Sequence, residues 1–200
     1  MRGTVIIFVK APVAGRVKTR LGADIGYGRA AALFRTLTQR TILESLKGEW
    51  QTVLAVDPPL AAHESARFWP SCLPRVPQGQ GDLGQRMARA FDHAPPGPVI
   101  IIGADAPGLR AQHLRAAFHA LKGAGAVFGP AEDGGYWLVG LNRRRAAPEL
   151  FKGVRWSTKH ALKDTVQTLP PDFDVRMIET LADVDEAKDL AVIGPAAAAH

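Results

Sequence analysis

Short β-branched runs alternate with amphipathic stretches along most of this chain, and no other feature restricts its fold so strongly. Thr4-Val-Ile-Ile-Phe-Val9 is apolar without interruption, the pattern of a strand covered on both faces in a parallel sheet, and Thr52 to Val56 and Val99 to Ile102 repeat it. Between these runs Ala30, Leu33, Phe34 and Leu37 keep one face apolar at helical spacing, as do Leu83, Met87, Ala90 and Phe91. Beyond Ile102, a third stripe on Leu114, Ala117, Phe118 and Leu121 precedes a further strand at Ala126 to Phe128. The succession predicts a mostly parallel α/β sheet with right-handed crossovers, sandwiched between helices in three layers. Tyr136 to Leu141 follows too closely for a helical crossover and is expected to run antiparallel to a neighbour in the C-terminal third. A helix on Leu162, Thr165, Val166 and Leu169 is ended by Pro170-Pro171; a strand at Asp174 to Ile178 and a short helix from about Asp185 complete the chain. A single domain over 1–194 with a frayed tail at 195–200 is expected.

Composition narrows the function classes. At 200 residues, 46% hydrophobic and 22% charged, the chain can bury one sizeable core without disulfide or structural metal, and its lone Cys72 allows no disulfide framework. No apolar run approaches the roughly 18 residues a membrane span requires, and nothing at the N-terminus reads as a signal peptide, so a cytoplasmic address is expected. The net charge of +6 raises nucleic acid as a partner. Distribution argues against it: the basic residues concentrate in Lys10 to Arg20 and Arg143 to Arg145, with no aromatic-rich strand or helix-turn-helix pattern beside them. A small phosphorylated ligand fits better, and the Arg143 run reads as a solvated loop.

Open parallel sheets bind ligands beyond the carboxyl ends of their strands, so the residues just after each strand carry the chemistry. After the first comes Lys10-Ala-Pro-Val-Ala-Gly15-Arg-Val-Lys-Thr-Arg20, where Lys10, Arg16, Lys18 and Arg20 in one Pro and Gly loop suit a phosphate chain, the alternative being solvated turn charges. The Gly-Lys-Ser/Thr ending of a Walker loop is missing. After the third comes Gly103-Ala-Asp105-Ala-Pro-Gly108, whose lone carboxylate either holds a hard divalent cation together with substrate phosphates or stabilises a turn. In Gly129-Pro-Ala-Glu132-Asp133-Gly-Gly-Tyr136, the two acids are candidates for a catalytic base or an outer metal ligand, against an acidic hairpin turn. Asp183 or Asp185 opens the last helix and is a good N-cap. Gly81 and Gly84 allow close approach to a nucleotide and Arg86 supplies a cation, whereas Asp82 either joins that site or caps a helix. Ser157 is placed as an N-cap before the Leu162 helix. No nucleophile elbow and no zinc-binding histidine spacing occur.

Four motifs together carry a resemblance: Lys10-Ala-Pro-x-x-Gly-Arg-Val-Lys-Thr-Arg-Leu21, Gly81-Asp-Leu-Gly-x-Arg-Met87, Gly103-Ala-Asp-x-Pro-Gly-Leu109 and Gly129-Pro-Ala-Glu-Asp-Gly-Gly-Tyr-Trp-Leu-Val-Gly-Leu141. The chain resembles the radical-SAM/selenodomain-associated transferases, glycosyltransferase-A-like members of the nucleotide-diphospho-sugar transferase superfamily, from about Val5 to Leu190. The resemblance implies a GT-A Rossmann-like fold, a nucleotide-phosphate donor and a divalent metal, Mg2+ or Mn2+. It assigns Lys10, Arg16, Lys18 and Arg20 to donor phosphates and Asp105 to the metal. Val184-Asp-Glu-Ala-Lys-Asp-Leu190 is similar to the Val-Asp-Thr-Pro-Glu-Asp-Leu ending of sugar-activating cytidylyltransferases, which makes Asp185 a second metal ligand. Glu-Ala replaces Thr-Pro here, and Asp105 lacks the second acid of an Asp-x-Asp motif. Three functions are therefore expected: glycosyl transfer from a nucleotide-sugar to a small acceptor, nucleotidyl transfer from a nucleoside triphosphate, or nucleotide binding without catalysis.

Overall fold

The structure, a computed structural model, describes residues 3–62, 68–144, 146–147 and 149–182. Seven strands form one sheet in the order β3-β2-β1-β4-β6-β5-β7. β1 (Thr4–Lys10) lies parallel between β2 (Gln51–Asp57) and β4 (Val99–Gly103), while β3 (Arg75–Pro77) extends β2 as a parallel edge strand. β6 (Tyr136–Leu141) runs antiparallel to both β4 and β5 (Ala126–Pro130), and β7 (Val175–Met177) is parallel to β5. The mostly parallel sheet with one reversed strand in its C-terminal third matches the sequence pattern.

The continuous apolar runs are explained by two cores, one on each face. Val5, Ile7, Val9, Leu54, Val56, Ile100 and Ile102 share one cluster with Ile42 of α2 (Tyr27–Ser45) and Leu114 of α4 (Ala111–Ala120). Ile6, Ala55, Val99, Ile101 and Phe128 point the other way, onto Met87 and Phe91 of α3 (Leu83–His93), with Leu162 and Val166 of α5 (Ala161–Gln167) packed alongside. Strand alternation thus sends successive residues into opposite layers. Glu44 ties the first layer together, accepting from the Ala111 amide at 2.9 Å and from Lys47 at 2.6 Å. Burial pushes its carboxyl up, but those two hydrogen bonds together with the charges of Lys47 and Arg110 hold the group below its ordinary value.

Three features depart from the sequence expectation. The loop after β1 passes at Thr19 into a short helix, α1 (Thr19–Ile25), because Leu21 and Gly22 find burial there. The edge strand β3 is only three residues long, too short to show a period. Ser157 does not cap α5: it sits at φ 58, and the residue before the helix is His160, whose amide donates to Thr158 Oγ1 at 3.2 Å. The expected helix from about Asp185, the second metal ligand Asp185 itself and the tail at 195–200 lie outside the described residues. No helix among the described residues is long and apolar enough to cross a membrane.

Candidate active site at the carboxyl edge

The register β1–β2–β4 brings Lys10, Asp57 and Gly103 to one edge of the sheet. Ala11 continues the ladder by donating to Asp57 O at 2.8 Å. The chain then turns through Gly15, at φ +76 with open space around its Cα, a backbone conformation that L side chains rarely adopt. Lys18 ends the loop in the left-handed region (φ 45, ψ 49) immediately before α1. That conformation turns its side chain inward: Lys18 Nζ lies 2.7 Å from Asp105 Oδ2, across 87 residues of sequence, and the lysine side chain is only 6% exposed. A nearly buried ammonium requires such a partner. Asp105 is less enclosed, at 36%, so the pair sits at the floor of an open pocket. Lys10, Arg16, Lys18, Arg20, Gly103 and Asp105 line that pocket, with a volume of about 320 Å³. The basic loop and the lone acid, far apart in sequence, share one cavity.

A second group stands at the carboxyl ends of β1 and β2. Gln78 is buried, its Nε2 donating to Val9 O at 3.1 Å and to Ala55 O at 2.9 Å, while its Oε1 accepts from Arg86 Nη1 at 2.9 Å. Arg86 Nη1 also lies 3.9 Å from Asp57 Oδ2. Gln78 therefore bolts two strand ends together and fixes a guanidinium at the same edge. The sequence reading missed it, since a lone Gln after a three-residue strand carries no periodic signal.

The remaining candidates have local roles in view. Asp82 accepts from Gln85 N at 2.8 Å and Gln85 Oε1 accepts from Asp82 N at 3.1 Å, a capping box at the start of α3. Gly81, at φ +98, lies against Gln85, and Arg89 holds the same loop by donating to the Gln80 carbonyl. A Cβ on Gly84 would lie 2.8 Å from both Phe151 and Trp156, so this glycine serves the packing of α3 on the 151–156 segment. Asp133 Oδ1 accepts from Gly135 N at 2.8 Å, and Ala131 N donates to Gly135 O at 3.0 Å, closing a hairpin between β5 and β6. Gly134 takes φ +85 with Lys159 O packed against its Cα, where a side chain has no room. The hairpin nevertheless projects from the same edge as Asp105, because the start of β6 pairs with the end of β4. Glu132 and Asp133 are both exposed there. Tyr136, which follows, is partly buried against the second core: burial pushes its phenol up, and Thr165 Oγ1 donates to it at 3.3 Å.

The geometry can do specific chemistry. Among the described residues no three acids, histidines or cysteines cluster as a closed metal cage. One half-exposed carboxylate in a cationic pocket fits a magnesium-like ion, which takes one or two carboxylates and draws its other ligands from phosphate and water.

An α/β sheet with one reversed strand is the architecture of the nucleotide-diphospho-sugar transferases, and in this chain a cation-lined pocket opens at its carboxyl edge. A protein of Desulfovibrio desulfuricans G20 provisionally named a nucleotide-diphospho-sugar transferase superposes with a TM-score of 0.84 at 28% identity, over 98% of this chain and 88% of that one. The chain belongs to the family described as an uncharacterized protein conserved in bacteria (DUF2064), whose model matches residues 42–158. At 12% identity, 4-diphosphocytidyl-2C-methyl-D-erythritol synthase from Anaerococcus prevotii DSM 20548 shares the fold with a TM-score of 0.61, over 96% of this chain and 94% of that one. Rv0371C of Mycobacterium tuberculosis H37Rv, solved in complex with manganese, shares it at 16% identity and 0.52, over 96% and 98%. No curated protein matches by sequence.

Proposed function

We propose that this chain is a nucleotide-dependent transferase that grips the diphosphate of a nucleotide-sugar with Lys10, Arg16, Lys18 and Arg20 and passes the sugar to a small acceptor. The observation that carries the reading is the 2.7 Å contact of Lys18 with Asp105 inside a pocket that three further cations line. The narrower kinship with radical-SAM/selenodomain-associated transferases rests on the four sequence motifs.

In this reading the acceptor oxygen bonds to the anomeric carbon as the carbon–oxygen bond to the diphosphate breaks. The bonding electrons leave with the nucleoside diphosphate, and the acceptor proton passes to Glu132 or Asp133 if configuration inverts. The four cations of the first loop offset the charge that develops on the leaving group. Gly81 and Arg86 border the nucleotide, with Gln78 setting the position of Arg86 and Gly84 left to the packing beneath α3. Bound Mg2+ or Mn2+ would be held by Asp105, with Asp185 as the second carboxylate, and would supply further neutralisation of the diphosphate. Chain geometry supports Asp185: Leu181 packs within 3.3 Å of the Cβ position of Gly108, three residues past Asp105, and its amide donates to Pro130 O at 3.1 Å. Four more residues reach at most about 14 Å from there.

Lys18 and a divalent cation compete for the same carboxylate. A diphosphate that draws Lys18 onto its own oxygens releases Asp105, so nucleotide and metal are expected to bind with positive coupling. Nucleotidyl transfer from a triphosphate is the second reading, favoured by the excess of cations over acids in the pocket. Release of nucleoside diphosphate from a nucleotide-sugar, against pyrophosphate from a triphosphate, separates the two. Thermal-shift screening of both donor classes with and without Mg2+ or Mn2+ tests the proposal, since bound ligand stabilises the fold by mass action. Stabilisation by neither class would contradict it; binding without turnover over a broad acceptor screen would leave a nucleotide-binding protein.

A further inference from the structure

A larger concavity opens at the opposite, amino-terminal edge of the sheet, about seven strand residues or roughly 20 Å from the pocket above. Its volume is about 1220 Å³, and Gly3, Trp50, Pro98 and Asn142 mark the strand ends around it. Arg115, Lys122, Arg143 and Arg144 line it with Lys47, while Glu49 is the one acid among the described lining residues. Lys47 is partly neutralised by Glu44 at 2.6 Å, so the surplus positive charge belongs to the arginines and Lys122. Two of these are held in place by backbone carbonyls: Arg143 donates to Ala94 O at 3.1 Å and to Pro95 O at 2.6 Å, and Arg115 donates to Lys47 O at 3.3 Å. Carbonyls orient a guanidinium without cancelling its charge.

We propose that this groove docks an acidic, amphipathic segment of a partner protein, with carboxylates on its cations and apolar side chains against Pro98, Phe118 and Leu121. Charge complementarity selects an anionic occupant. The rings decide against nucleic acid: Trp50 and Phe118 stack on each other with centroids 5.3 Å apart, Gly48 crowds the Trp50 ring and Gly3 crowds that of Phe118. Single-stranded nucleic acid is held by rings set out to receive bases, and these two are spent on each other. The Arg143–Arg144 run is then part of a binding surface rather than a solvated loop.

Fluorescence anisotropy of a labelled peptide alternating Glu and Leu, titrated with the full chain at low ionic strength, tests the inference. The wild type should bind the peptide more tightly than a labelled oligouridylate, and added salt should weaken it. The double variant Arg115→Glu, Lys122→Glu should lose about tenfold in peptide affinity. Both substitutions lie on the exposed side of α4 or just past it, so the melting temperature should hold. No peptide binding by the wild type, equal binding by the folded variant, or tighter binding of the oligouridylate would each overturn the proposal. The readout is independent of nucleotide binding at the other edge, so failure here leaves that reading untouched.

Discussion

The two edges of the sheet both gather cations, but only one of them sets a nearly buried cation against a carboxylate. At the carboxyl edge one lysine and one arginine face acids, Lys18 to Asp105 at 2.7 Å and Arg86 near Asp57 at 3.9 Å, and Lys10, Arg16 and Arg20 line the pocket around the first pair. At the amino edge Arg143 and Arg115 are positioned by carbonyls, with a single acid among the described lining residues. A matched cation can exchange its partner for an incoming phosphate, as reversible ligand binding and charge-developing chemistry require. An unmatched surplus attracts an anionic surface and needs no internal exchange. Part of the positive charge thus gathers in two separate places, one at each end of the strands.

The comparison breaks most sharply at the matched pair. Asp105→Asn should lower turnover by about a hundredfold or more, a typical loss when one preorganised electrostatic group is removed, without unfolding the domain. Steady-state kinetics beside a circular-dichroism melt would show it. Lys18→Ala should split two affinities that otherwise move together: nucleotide binds about tenfold more weakly, while Mn2+ alone binds more tightly because Asp105 has lost its competitor. Calorimetric titrations of each ligand read both. Gln78→Leu should cost about 2 kcal/mol of stability, since Arg86 and the Val9 and Ala55 carbonyls lose a buried partner; chemical denaturation measures it. Asp82→Ala should cost about 1 kcal/mol through the lost cap, and nucleotide affinity falling further than that would mark a contact as well.

The smallest effect is a pH dependence away from both edges. Arg155 forks onto Asp164 with two 2.8 Å hydrogen bonds, which hold its carboxyl at about 2 against an ordinary 3.8. A depressed carboxyl contributes stability above its unfolded value and loses it as pH falls. The contribution should be intact above about pH 4 and gone near pH 2. Arg155→Gln should flatten that part of the stability–pH curve.

Strand and helix alternation was legible because burial on both faces of a parallel strand leaves continuous apolar runs, and β6 was legible as reversed because five residues cannot cross a sheet. The basic loop and Asp105 were legible one at a time, as residues just after strands. Their mutual contact was not, because the left-handed turn at Lys18 is a single backbone choice with no periodic trace. Gln78 was hidden for a related reason: its partners, Val9, Ala55 and Arg86, belong to three elements. The local alternatives held for Asp82 as a cap and for Asp133 in the hairpin turn, since both acids bond amides within three residues. The gathering of cations at the amino edge was not legible, because Arg115 of α4, Lys47 and Lys122 just past α2 and α4, and the 143–144 turn are brought together only by the folded sheet.

The claim beneath all of this is that Asp105 answers both to Lys18 and to a cation arriving with nucleotide. Titrating Mn2+ into the chain by calorimetry, with and without a saturating nucleoside diphosphate, examines it directly. The account predicts Mn2+ affinity rising about tenfold when the nucleotide is present, and no such rise in Asp105→Asn. Manganese affinity indifferent to both the nucleotide and the substitution would contradict it.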